Sequence, residues 1–125
     1  MQQGSKIIAF DLDDVICTRP KGFEDLGVNK YEYCEPVKDM IKLVNKVYND
    51  GHIVKIYTAR GMSMFSGDTH KIYNHLYQLT LKQLNDWGIK FHELVMGKLH
   101  YDILIDDRAI NSNRIKSHTD IDAFL

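Results

Sequence analysis

Three carboxylates fall within four residues, at Asp11, Asp13 and Asp14, with only Leu12 between them. Like charges that close repel one another unless a cation or a proton relieves them. In strand or turn geometry Asp11 and Asp13 point the same way, while Leu12 points into the core. A second acidic pair, Asp106 and Asp107, stands near the other end of the chain. If the two sets converge on one crevice, they make a hard, oxygen-rich site. That chemistry suits Mg2+, which takes a few carboxylates and keeps positions for water and phosphate oxygens. Each piece alone is commonplace. A DxD at a strand end is more often a turn or a helix cap, Thr58 followed by Ala59 and Arg60 reads as a strand-end hydroxyl, and Lys98 reads as a surface lysine.

The elements that must position these residues alternate in texture. Residues 6–10 (KIIAF) form a short β-rich run that stops at Asp11, and the lack of polar alternation predicts a strand buried on both faces of a parallel sheet. Residues 53–57 (IVKIY), ending at Thr58, 92–96 (HELVM) and 101–105 (YDILI), ending at Asp106, predict three more strands. Between them, residues 36–50 carry Val37, Met40, Ile41, Val44, Val47 and Tyr48 at helical spacing, with Leu43 widening the stripe. Pro36 fits the first helical position and Gly51 the position just past the end. A second helix is expected over 74–87, facing the core with Tyr77, Leu81, Leu84 and Trp87 and stopping at Gly88. This order argues for an α/β fold with right-handed crossovers. If the strand at 101–105 lies beside the first strand, both acidic pairs meet at one sheet edge. Two long loops, 18–33 and 61–73, follow strand carboxyl ends, where open α/β sheets bind ligands.

Composition bounds the rest. The 125 residues are 44% hydrophobic, which suits a single domain over 1–125. With 16 basic against 17 acidic residues, no excess charge advertises a nucleic-acid partner. No apolar run approaches the roughly 20 residues of a membrane span. The polar start lacks a signal-peptide pattern, and Cys17 and Cys34 form no CxxC motif, so a cytoplasmic location is expected. The six histidines form no zinc-ligand cluster. His75 reads as a surface residue, and Cys17 as a small core residue.

The joint order is a strand and Asp11-x-Asp13, a strand and Thr58, then Gly97-Lys98, then a strand and Asp106-Asp107. It resembles the haloacid dehalogenase (HAD) superfamily of phosphohydrolases over most of the chain. The pattern YTAR…GK…IDDRAI, with no inserted domain, looks most like small bacterial HAD proteins associated with capsule and polysaccharide biosynthesis. One departure is that Asp14 and Val15 stand where glycine and threonine are frequent. The resemblance implies a three-layer Rossmann-like fold with a central, mainly parallel sheet and no cap domain.

It also implies an Mg2+-dependent phosphomonoester hydrolase acting on a phosphorylated small molecule or saccharide. Asp11 would be the nucleophile that forms an aspartyl-phosphate, and Asp13 the general acid and then base, an uncharged or proton-sharing group beside ionised Asp11. Thr58 and the N–H groups near Ala59 would hold phosphate oxygens, and Lys98 would offset charge in the transition state. Mg2+ would be held by Asp11, the backbone carbonyl of Asp13, Asp106 and Asp107. Arg60 is a second-tier candidate, either forking onto phosphate or a substrate carboxylate, or solvated. Arg108 is expected to pair with the Asp106–Asp107 carboxylates, and Arg19 and Lys21 to be solvated. Capless members commonly act on large substrates or close their sites with neighbouring subunits. A homo-oligomer is therefore expected, with 18–33 or 61–73 at the interface. The alternatives are a nucleotide phosphatase and a non-catalytic scaffold that keeps the fold and the Mg2+ site.

Overall fold

The computed structural model describes residues 4–125, the side chain of His118 excepted. In chain order the elements are β1 (Ile7–Asp11), β2 (Cys17–Thr18), a 3-10 stretch over Glu24–Tyr33, β3 (Glu35–Pro36), α1 (Lys38–Asn49), β4 (Ile53–Thr58), α2 (Thr69–Asp86), β5 (Glu93–Met96), a 3-10 turn at Ser112–Arg114 and α3 (His118–Asp122). β1, β4 and β5 form a parallel sheet in the order β1-β4-β5, and β2 pairs with β3 as a small antiparallel hairpin. Asp11 lies opposite Tyr57, and Thr58 opposite Met96, so the strand ends that carry Asp11 and Thr58 share one carboxyl edge.

Strand alternation explains the core. Phe10, Val54, Ile56, Leu94 and Met96 point to one face and gather with Ile41, Val44 and Val47 of α1 and Ile72, Leu76 and Leu84 of α2. Ile7, Ala9 and Tyr57 on the opposite face are exposed, Ile7 by 65%. The first strand is thus buried on one face rather than two. The sheet carries α1 and α2 on that face, in place of the expected three layers.

The run at 101–105 is not a strand. A strand exists only through the partner that takes its N–H and C=O groups, and this run joins neither sheet. Ile103 and Ile105 are 80% and 94% exposed. β1 is consequently an edge strand. The chain returns to the body at Ile115, which packs on the core, and at Ile121 of α3, which is buried near α1.

Both helices shift from their expected starts. Pro36 belongs to β3, where it lies opposite Cys17. The next N–H, of Val37, bonds the Ile16 carbonyl at 2.7 Å, which holds the chain to the hairpin and delays α1 until Lys38. Asp68 caps α2 by accepting from the Lys71 N–H at 3.3 Å, so this helix begins at Thr69 rather than 74 and brings Ile72 into the core. Gly51 and Gly88 end the helices where expected, both in the left-handed conformation, at φ 97° and 73°. Among the described residues, no helix is long and apolar enough to cross a membrane.

Candidate active site

The chain leaves β1 in a tight turn wound on one carbonyl. Leu12 O accepts the N–H groups of Val15, Ile16 and Cys17 at 3.2, 2.8 and 3.2 Å, while Leu12 itself is buried. Asp14 sits in this turn at φ 67°. That left-handed region costs most side chains energy but admits glycine freely and aspartate with local help. The Asp14 carboxylate pairs with Arg19 on the exposed surface.

Asp11 ends β1 with its two oxygens in different hands. Oδ1 accepts the Leu12 N–H at 2.8 Å, and Oδ2 lies 3.0 Å from Lys98 Nζ. The carboxylate remains 36% exposed, open to an incoming group. Lys98 arrives from the end of β5, with its backbone N–H bonded to Thr58 O at 3.0 Å. Burial works against its charge, but hydrogen bonds to Tyr101 and Asp11 outweigh that and hold its pKa above the ordinary lysine value. Thr58 is buried, and its hydroxyl accepts the Arg60 N–H at 3.1 Å. Ala59 is half-buried beside it.

Arg60 differs from both expectations for it. Its side chain is neither solvated nor open to a ligand: it is fully enclosed and forks onto Asp13, with Nε 3.0 Å from Oδ2 and Nη2 3.0 Å from Oδ1. The remaining nitrogen, Nη1, donates to Thr80 Oγ1 at 3.2 Å and Gln83 Oε1 at 2.6 Å. Tyr31 lies under the guanidinium at 4.7 Å, and its hydroxyl accepts the Gly61 N–H at 3.2 Å. Desolvation pulls the Arg60 pKa down, but Asp13 more than compensates and raises it. Asp13 therefore pairs with Arg60, and Asp11 pairs with Lys98. The two acids have separate cationic partners.

Cys17 and Cys34 are buried free thiols that flank Asp13, their sulfurs 3.3 and 3.7 Å from Oδ1. The bond to Cys34, then burial, pushes the Cys17 thiol far up, whereas the same bond lowers Cys34. Asp13, Cys17 and Cys34 are the one group of three potential metal ligands among the described residues. The Arg60 guanidinium lies 3.0 Å from Asp13 Oδ1 and 3.7 Å from the Cys17 sulfur, so it occupies that position with a cation of its own. The donor set is a hydrogen-bonded shell around Asp13.

The second acidic pair is elsewhere. Asp106 accepts the Arg108 N–H at 2.7 Å, and Asp107 lies 3.8 Å from Arg108 Nε with both side chains at least 85% exposed. The Arg108 backbone hydrogen bond, then Asp107, lowers the Asp106 pKa. Within one chain these residues do not join Asp11 and Asp13 in a ligand cluster. The set expected to hold Mg2+ therefore does not fit that ion in a single copy. His75 stacks on Phe65 at 5.1 Å and is exposed.

Sequence reasoning missed Thr80 and Gln83. One signal was present. Thr80 occupies the core stripe of α2 formed by Ile72, Leu76 and Leu84, where a buried hydroxyl needs a polar partner from another element.

No protein-family model matches the chain, and no curated protein matches it. It is similar in structure to an MCSG target from Vibrio cholerae, known from a crystal structure, with a TM-score of 0.77 and 22% identity. The similarity covers 96% of this chain and 99% of the other. At that identity the likeness shows a shared α/β fold.

Proposed function

We propose that the protein is a HAD-type phosphomonoester hydrolase with Asp11 as nucleophile. The observation that carries this is the partly exposed Asp11 carboxylate at the carboxyl edge of the sheet, oriented by the Leu12 N–H and neutralised by Lys98 at 3.0 Å. A carboxylate approaching a phosphate faces like-charge repulsion, and a fixed ammonium between them lowers it. In the first step an Asp11 oxygen attacks phosphorus, the bond to the leaving oxygen breaks, and that oxygen takes a proton. In the second, water attacks phosphorus, loses a proton, and frees Asp11 and inorganic phosphate.

Asp13 is placed by Arg60 to take the proton of the water, and serving as the acid requires Arg60 to release one of its oxygens. Thr58 and Ala59 follow Tyr57, which lies opposite Asp11 at the next strand end, and would hold phosphate oxygens there. Mg2+, where bound, would complete the charge balance; Asp11 and the Asp13 carbonyl would hold it, together with Asp106 and Asp107 if that pair were brought to the same edge. A cleft of about 240 Å3 lined by Arg19, Phe23, Lys30 and Tyr31 opens beside Asp14. It is smaller than the roughly 300–1,000 Å3 of pockets for drug-sized ligands, a size that suits one sugar ring better than a nucleotide, and its cations Arg19 and Lys30 stand among the carboxylates of Asp14 and Glu24.

The test is hydrolysis of an aryl phosphate with Mg2+. Activity that is lost on chelation, and lost in Asp11→Asn with the circular dichroism of the fold retained, is the expected result. Full activity in that variant would reject Asp11 as nucleophile, and no hydrolysis by the wild type would favour a scaffold role.

A further inference from the structure

Among the described residues the run at 101–105 and the outer edge of β1 are each unpaired, and reach within one chain does not bring the whole run alongside β1 in the direction a parallel sheet requires. Lys98 lies at the carboxyl edge, its N–H on Thr58 O and its ammonium on Asp11. Its ammonium is also 5.2 Å from the centre of the Tyr101 ring. Tyr101 is thereby held at the edge where a parallel strand must end, whereas a partner parallel to β1 must begin at the amino edge. The five residues of β1 rise about 13 Å between those edges. Three residue steps from Lys98 reach at most about 11 Å, before any sideways travel is counted. Turning back onto the free edge of β5 is within reach, but it would leave Asp106 at the amino edge, a strand length from Asp11.

The run is nonetheless built as a strand. Ile103, Leu104 and Ile105 are exposed by 80%, 47% and 94%, and such a segment beside an open sheet edge is a template for pairing with another chain. The edge it would meet is equally unfinished: Ile7 is 65% exposed on β1. A reciprocal exchange satisfies both at once, because each copy offers one strand and one edge and a two-fold arrangement closes the set.

We propose that two copies exchange this segment. Tyr101 to Ile105 of each pairs in parallel with the outer edge of β1 of the other, and the partner's Asp106 and the partner's Asp107 come to the carboxyl edge beside Asp11. The exchange stands on reach and exposure; its role in completing an Mg2+ site rests on the phosphatase reading. Each site is then made by two chains, and the interface lies at β1 rather than at 18–33 or 61–73.

Sedimentation decides the exchange without any activity. The wild type is expected at twice 14.5 kDa, and Ile103→Pro, which cannot donate to a ladder, at the monomer mass with unchanged circular dichroism. A monomeric wild type, or a dimer that Ile103→Pro leaves intact, overturns the exchange. A dimer of the expected behaviour without phosphatase activity keeps the exchange and removes the phosphatase reading. Where activity is present, mixing inactive Asp11→Asn with inactive Asp106→Asn under exchange conditions should restore about a quarter of wild-type activity, since half the dimers are mixed and each holds one intact site. No recovery would place Asp11 and Asp106 in one chain and contradict the exchange.

Discussion

Asp13 and Arg60 show how one buried ion pair organises a strand end. The pair is enclosed, with Arg60 at 0% and Asp13 at 14% side-chain exposure, and every guanidinium nitrogen has a partner. Removing one member of a buried pair leaves the other charge uncompensated, typically at about 3–5 kcal/mol. Arg60→Ala should therefore lower the unfolding free energy by about that amount in urea denaturation. Arg60→Lys should fall between, because an ammonium cannot fork onto both Asp13 oxygens; a lysine variant as stable as wild type would contradict the role of the fork. Lys98 gives a pH test. Its folded pKa is raised above the ordinary 10.5, so the stabilisation from its pair with Asp11 is whole below that value and is lost as pH rises through the folded one. The stability gap between wild type and Lys98→Met should stay constant through neutral and mildly alkaline pH, then close beyond it. A gap that closes below pH 9 would show that Asp11 does not hold Lys98.

At the scale of elements, the local signals were legible and the long-range ones were not. Short apolar runs marked β1, β4 and β5, and Gly51 and Gly88 marked two helix ends, because each depends on neighbours in sequence. The pairing of Asp13 with Arg60 spans 47 positions and leaves no periodic trace. The start of α1 was misplaced because Pro36 is equally at home in a hairpin, and the tie from Val37 to Ile16 is tertiary. The 101–105 run has the composition of a strand, but composition does not supply a partner. Gly61 is where backbone and packing meet: at φ 80°, an added Cβ would stand 2.6 Å from Leu76 Cδ1, in a fully buried side chain that would have to shift. Strain in the left-handed region and overpacking together put Gly61→Ala at about 2–4 kcal/mol of destabilisation. Thermal melting reads this directly, and a neutral variant would mean that the turn relaxes.

For the whole molecule, one observation governs: a sheet of three strands with helices packed on one face, and a strand-like run outside that sheet whose acids do not join Asp11 and Asp13 in one ligand group. The α/β class was readable from the alternation of strand and helix patterns. The three-layer arrangement was not, because whether the second face and the β1 edge are covered depends on where residues 101–125 go. In a strand-exchanged pair, dilution should uncouple the two functions of the molecule. Phosphatase activity per chain should fall with concentration below the dimer dissociation constant, while the helical circular dichroism persists. Activity per chain independent of dilution into the monomer range would place the whole site in one copy.

The most direct measurement of the central claim is a crystal structure of the protein with magnesium and beryllofluoride, a mimic of the acyl phosphate. Beryllium bonded to an Asp11 carboxylate oxygen, with Lys98 against its fluorides, is the predicted result. Beryllofluoride bound to another side chain, or Asp11 left free at saturating concentration, would contradict it.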